Sequence, residues 1–349
     1  MTMKFAFMAA VLAWTNLVQA QEVLSFKIPA DTFQNDVKIL SYSASGNPMR
    51  QSGWVEIVNH PDAPSEWVDL LETYRKEIAR VEAEFPSVKM YLPLTVELDN
   101  SIDFFAAFYA ENKKISFKSA AIRDVGILRH ELGHAAIFSL MLKEDLVVPL
   151  ADLYRKRLAV EVPSTAEVVL DFYVNEGFFF REQIPDVYSL SIELHPSLFW
   201  RINSPQKLSV SGLRARFRPN ENAPRYDDHI AGRVVEAFLQ EVSKKFNRPT
   251  LFQNWYRFLK GAIEDPESYQ VTYFAYKEPV AGKERAYGYT ELSPNKLLSR
   301  FLRASFNDSE REQVDKIRKE LSLDADSLKQ ILHEVYCSEK FVCGIYFDR

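Results

Sequence analysis

Glycine and cysteine are scarce in this chain. Eleven Gly in 349 residues leave no material for Gly-rich linkers or a collagen repeat. Two Cys are too few for a disulfide scaffold or a metal site made of thiolates alone. An excess of positive charge is also missing. Lys and Arg number 43 against 48 Asp and Glu, a net charge of −5, so there is no general electrostatic footprint for nucleic acid. Beyond the first twenty residues no uncharged apolar run reaches membrane-spanning length, so no stable membrane anchor is expected. No internal repeat or low-complexity tract occurs either. What the chain does have is bulk. Hydrophobic residues make up 47%, with 25 Phe, 16 Tyr and 5 Trp, the composition of a folded globular protein.

The N-terminus has the pattern of an export signal over residues 1–20. Lys4 supplies the positive start, Phe5 to Val18 the apolar run, and Val18 and Ala20 the small residues three and one before Gln21. The expected mature protein begins at Gln21 and works in the periplasm or outside the cell. In an oxidising compartment Cys337 and Cys343 are expected to close a small local disulfide loop.

Four segments are expected. Residues 1–20 are the signal and 21–100 a β-rich module with one helix. Residues 101–250 form the catalytic domain and 251–349 a mostly helical region. In the module, VLSFKI, VKILSYS and WVEIVN read as extended. Residues 65–85 carry Trp67, Leu70, Leu71, Tyr74, Ile78, Val81 and Phe85 at helical spacing, with Pro86 as the stop. VKMYLPLTVEL and KKISFK read as strands, and a helix is expected from near Ala121 or Asp124. A helical hairpin is expected over 143–160, and a further helix from Ser164, where Ser164-Thr-Ala-Glu167 has the capping-box pattern. Residues 229–246, 251–264 and the stretch after 293 read as helical, and VTYFAY with RAYGYT as a hairpin around Gly282. Leu213 to Arg218 reads as a strand with one basic face, a solvated one by default.

The chemistry lies in His130-Glu131-Leu132-Gly133-His134. Residues four apart on a helix differ by about 40° in azimuth, so both imidazoles leave one face, one turn apart. Two such nitrogens suit a zinc ion at about 2.0–2.1 Å. Zinc lowers the pKa of a water toward about 7, and a carboxylate at Glu131 can take that proton as the water attacks a carbonyl. The plain alternative is a core helix with two incidental histidines, but a buried glutamate between them would still need partners.

A catalytic zinc takes a third protein ligand, and the candidate is Glu176 in Tyr173-Val-Asn-Glu-Gly-Phe178. HELGH followed by YVNEGF resembles the gluzincin metallopeptidases, the group of thermolysin and the aminopeptidase N-like enzymes. The resemblance covers residues 110–250. It implies a zincin-like catalytic domain with zinc (Zn2+) held by His130, His134 and Glu176, and Glu131 as general base. His134 and Glu176 are separated by 41 residues, about twice the family's usual gap, for which the expected helical hairpin accounts. Glu167 and Asp171 are the rival pair, since their spacing is that of a ligand and its bracing acid in thermolysin-like enzymes. Farther on, Tyr226-Asp-Asp-His229-Ile-Ala-Gly232 resembles the thermolysin segment that opens a helix and steadies an oxyanion. The resemblance thereby implies that role for His229, or for Tyr226 by the same logic. The ordinary alternative is that Asp227 or Asp228 caps the helix. The segment Tyr109-Ala-Glu-Asn112 matches the aminopeptidase branch poorly, which leaves endopeptidase and amino-terminal trimming both open. His60, His195 and His333 carry no pattern beyond surface or structural roles.

The expected protein is α+β: a zincin-like metallopeptidase domain with an N-terminal β-rich module and a helical C-terminal region. It is exported and acts on a peptide or protein substrate. The rivals are a zinc hydrolase of a non-peptide amide, and a zincin-scaffold binding protein without activity.

Overall fold

The computed structural model describes residues 24–29, 54–57, 65–161, 167–168, 173–177, 179–192, 228–277, 284–336 and 341–345. The export signal, the 37–43 run, Ser164, Asp171, the 213–218 strand, Tyr226, Asp227, the Gly282 turn and Cys337 lie outside them, as do the side chains of His229, His333 and Cys343. The chain is α+β and divides into two compact units. The first is Met1–Ser139 with His195–Phe199, and the second Leu140–Leu194 with Trp200–Arg349.

The first unit has a five-stranded mixed sheet. Its strands are β1 (Leu24–Pro29), β2 (Trp54–Ile57), β3 (Leu94–Leu98), β4 (Ala106–Tyr109) and β5 (Lys114–Phe117), in the order β2-β1-β3-β5-β4. β1, β3 and β5 run parallel, while β2 and β4 are antiparallel to their neighbours. Helix α1 (Ser65–Glu84) follows the expected period, with Leu70, Leu71, Tyr74, Ile78 and Val81 buried. The strand expected over 88–98 is shorter. Pro86–Tyr91 winds into a 3-10 turn, and Pro93, with no N–H to give a ladder, stands just before β3.

Helix α2 (Val125–Met141) starts where Asp124 caps it, its Oδ1 accepting from the amides of Gly126 at 2.9 Å and Ile127 at 3.2 Å. Ile127, Leu128, Leu132, Ala135, Ala136, Ile137 and Leu140 are buried, so α2 is apolar on almost every face and sits inside the protein. Two polar links tie α1 to it. Tyr74 OH donates to the Ile122 carbonyl, just before α2, at 2.7 Å. Arg129 donates through Nε and Nη2 to both Glu77 oxygens, each at 3.0 Å, with the two side chains only 9% and 6% exposed. A buried pair loses more when broken than it contributes when intact, because the survivor keeps its desolvation cost. Glu77→Ala is therefore expected to lower stability by about 3–5 kcal/mol in a urea titration. The double variant Glu77→Leu/Arg129→Met is expected to recover most of that loss. A Glu77→Ala effect under about 1 kcal/mol would show the pair to be solvated.

The second unit opens with α3 (Glu144–Glu161). It is one helix, so the expected hairpin over 143–160 is corrected. Leu146, Leu150 and Tyr154 form a single buried stripe at four-residue spacing, and no Gly interrupts 144–161. Pro149 sits close enough to the start that the lost bond falls on the first turn. The helix expected from Ser164 is also corrected. Glu167–Val168 is a short strand, β6, parallel to Arg285–Ala286. A four-residue capping pattern is a local signal, and β-branched Val168 fits a ladder as well as a helix start.

The second sheet has the order β10 (Phe341–Ile345), β8 (Tyr269–Lys277), β9 (Glu284–Leu292), β6, with β7 (Tyr173–Asn175) also parallel to β9. β8 (Tyr269–Lys277) and β9 (Glu284–Leu292) form the expected antiparallel hairpin. The remaining helices are α4 (Gln183–Ile192), α5 (Asp228–Lys245), α6 (Leu251–Ile263), α7 (Pro294–Ser305), α8 (Asp308–Glu320) and α9 (Ala325–Tyr336). The C-terminal region then returns to the sheet as β10 (Phe341–Ile345), paired with β8. Trp255 anchors this unit's core, its ring edge-on to Phe301 at 4.8 Å. No helix among the described residues is long and apolar enough to cross a membrane.

Candidate metal centre

His130, Glu131 and His134 lie on α2, and the helix does to the histidines what their spacing predicts. Their Nε2 atoms are 3.2 Å apart, and their rings meet edge-on with centroids at 4.9 Å. Two nitrogens bound to one tetrahedral zinc at about 2.0–2.1 Å would stand about 3.3–3.4 Å apart, so the pair fits the ion almost without adjustment. His130 and Glu131 are buried, where a carboxylate has strong reason to engage a cation or a proton.

Among the described residues, one group of ligand-bearing side chains converges on this pair. Atoms of His130, His134 and Glu182 all lie within 4.8 Å of one another. Glu182, directly before α4, was not singled out in the sequence. An acid at a helix start is ordinary, and it stands 48 positions after His134 with no motif around it.

Glu176 follows β7 and is 1% exposed. Its Oε1 accepts from Arg181 Nε at 3.0 Å, and its Oε2 has no hydrogen-bond partner among the described residues. The charge of Glu176 adds to burial in pushing the Tyr269 hydroxyl far above its usual range, with burial the larger cause. Gly177 has a structural account of its own. Its φ is +76°, and a Cβ there would meet Glu291 Oε2 at 2.6 Å. Glu291 is held by Gln270 Nε2 at 3.0 Å and Thr272 Oγ1 at 2.6 Å. Glu167, the rival ligand, lies in β6.

The backbones of Asp228 and His229 form the first turn of α5. Gly232, one turn on, is where α5 closes on α4. A Cβ there would lie 2.9 Å from Gln183 Cβ and 3.1 Å from its backbone. The glycine of the His-x-x-Gly segment thus permits a close approach beside the residue that follows Glu182.

One more side chain belongs to the histidine face. Phe138 continues the 130–134 stripe by one turn, and its ring lies nearly parallel to His134, 6.4 Å away and inclined 24°. Phe138 in turn stacks on Phe108 of β4 at 6.3 Å, and Phe108 meets Tyr91 edge-on at 5.3 Å. A line of rings therefore runs within the first unit from the histidine pair to the edge of its sheet.

Comparison with protein-family models, with curated proteins and with solved structures finds no match for this chain.

Proposed function

We propose that this protein is an exported zinc-dependent hydrolase of peptide bonds with a zincin-like catalytic domain. The observation that carries the reading is the pair of Nε2 atoms at 3.2 Å on one face of α2, with Glu131, next to His130 in sequence, also buried. His130 and His134 would hold the ion, with a carboxylate from the 176–182 segment. Geometry favours Glu182 there, and the gluzincin resemblance favours Glu176. Zinc bound at these residues supplies Lewis acidity toward a carbonyl and a more acidic water.

The chain's own groups do the rest. Glu131 takes the proton of the attacking water and can return it to the leaving amine. Burial of α2 keeps bulk water away from that transfer. His229 and Tyr226 remain the proposed oxyanion donors. Export is supported by the pattern of residues 1–20.

A peptide, rather than a smaller amide, is favoured by β4. The Lys118 amide donates to the Phe105 carbonyl at 2.9 Å, and the β4–β5 register pairs Ala107 with Ser116 and Tyr109 with Lys114. Bonded positions alternate in such a ladder. Ala106 and Phe108 therefore turn their backbone groups outward, and β4 has no second neighbour strand among the described residues. An extended peptide could pair there.

The test is direct. Purified protein, dialysed against chelator and reloaded with zinc, is offered a mixed peptide library read by mass spectrometry. Cleavage that stops on chelation and returns with zinc is expected. Zinc binding without cleavage of any peptide would leave a scaffold that binds, and no zinc binding would remove the reading.

A further inference from the structure

We propose that Glu291 is a positioning residue for the candidate metal centre. Its buried carboxylate locks the turn at Gly177, and so sets where the 176–182 segment places its zinc-binding carboxylate. This inference rests on the hydrolase reading for the presence of the metal and adds the residue that holds the ligand segment.

Glu291 lies near the end of β9 and is 1% exposed. Its register partners are Gln270 of β8 and Asn175 of β7. A carboxylate buried there is costly unless it is bonded, and an apolar residue would serve the ladder without that cost. The bonds are present. Oε1 of Glu291 accepts from Gln270 Nε2 at 3.0 Å and from Thr272 Oγ1 at 2.6 Å. Residues two apart on a strand share a face, so both donors reach one oxygen. Gln270 is fully buried, and among the described residues its one side-chain hydrogen bond is the one to Glu291. Two donors on one oxygen fix the side chain, and that fixes the other oxygen as well. Oε2 lies against Gly177, where an added Cβ would meet it at 2.6 Å and Glu291 Cδ at 3.3 Å.

Gly177 is the pivot of the ligand segment. Its φ of +76° is in the left-handed region that favours glycine. Its carbonyl accepts from the amides of Phe180 at 3.2 Å and Arg181 at 3.0 Å, so the direction of that carbonyl sets the path to Glu182. The Phe180 carbonyl then accepts from Ile184 at 3.1 Å, and the Glu182 carbonyl from Asp186 at 3.1 Å, which runs the turn into α4. Glu176 stands directly before the pivot, and Glu182 directly before α4. Both candidate ligands therefore take their places from Gly177, whichever of them binds the ion. A carboxylate held rigidly against that glycine keeps the turn in one form.

Metal binding tests this without any substrate. Full-length protein, freed of metal, is titrated with Zn2+ and separately with Co2+, whose visible spectrum reports ligand number and geometry. Glu291→Ala is expected to weaken zinc by about 10–100-fold, the range for residues that brace ligands, and to change the Co2+ spectrum. Glu291→Gln keeps the shape and one oxygen for Gln270 and Thr272, and is expected to recover most of the affinity. Leu332→Ala, a truncation in the core of the same unit, is the control. It is expected to lower the urea midpoint and to leave zinc affinity and the Co2+ spectrum unchanged. Gly177→Ala sets a methyl group against Glu291 and is also expected to weaken zinc. The double variant Gly177→Ala/Glu291→Ala is expected to lose clearly less than the product of the two single losses, because both break one contact. If Glu291→Ala fails to fold, Thr272→Val takes its place. It removes one of the two donors, and the same changes are expected at smaller size.

Wild-type zinc affinity with an unchanged Co2+ spectrum in Glu291→Ala overturns the proposal. So does a loss of zinc that Leu332→Ala shares, since it would follow stability alone, and so do losses that multiply in the double variant. Wild-type protein that binds zinc, loses it in Glu291→Ala and cleaves no peptide sinks the hydrolase reading and leaves this one standing. Cleavage by a zinc enzyme indifferent to Glu291→Ala does the reverse. Wild-type protein that binds neither metal sinks both.

Discussion

Glu131→Gln is expected to keep stoichiometric zinc and to lose about 10²–10⁴ in kcat/KM, the range in which a positioned acid–base group contributes. The substitution preserves shape inside a buried helix and leaves His130 and His134 untouched. It removes only the capacity to accept a proton at the carboxylate. His134→Ala is the contrasting variant. It deletes one of two nitrogens that stand 3.2 Å apart, and is expected to lose zinc and activity together. Zinc content by atomic absorption, with initial rates on one cleaved peptide, reads both outcomes. Near-normal hydrolysis by Glu131→Gln would show that the proton goes elsewhere. Zinc loss in Glu131→Gln would make the residue a ligand, contrary to the assigned role.

Much of the local structure is legible in the sequence because it is periodic. The buried stripe of α1 and the helices at 228–245 and 251–263 follow the 3.6-residue repeat. The β8–β9 hairpin follows its paired aromatic runs. The histidine pair is legible for the same reason, since a helix turns a four-residue spacing into proximity. Where the sequence misleads, a local signal meets a distant partner. Ser164 to Glu167 has the form of a helix cap, yet Glu167 and Val168 lie in a ladder with residues more than a hundred positions away. A strand at Phe341–Ile345 ends a region whose preceding pattern is helical, because β8 has an open side to fill. Glu182 could not be found, for no spacing rule links it to His134. The line of rings beside His134 is half legible. Phe138 is one helical turn beyond His134, but Phe108 reaches it only through the pairing of β4 with β5. Gly232 closely approaches Gln183, a contact that no spacing in the sequence indicates.

Glu182→Ala is expected to strip zinc from the protein, whereas Glu176→Ala is expected to retain it. The motivating observation is that atoms of Glu182 lie with those of His130 and His134 inside 4.8 Å, while Oε1 of Glu176 is taken by Arg181. A lost ligand should weaken zinc by more than the 10–100-fold typical of residues that only brace ligands. Dialysis against a weak chelator turns that difference into presence or absence of metal. The two variants should also part in stability. Glu182 is only half-buried, so its removal leaves the metal-free fold nearly unchanged. Glu176 is 1% exposed, and truncating it empties space in the second unit and strips Arg181 of an acceptor, at about 2–5 kcal/mol by analogy with other large-to-Ala changes in cores. The opposite result has an equally definite meaning. Glu176 has one buried oxygen with no hydrogen-bond partner among the described residues, and an orphaned carboxylate oxygen is what a ligand looks like before its cation arrives. Zinc lost in Glu176→Ala and kept in Glu182→Ala would give Glu176 the ligand role that the gluzincin resemblance implies. Oε2 would then take the ion while Oε1 stays with Arg181 as a brace, and Arg181→Ala would lower zinc affinity by about 10–100-fold.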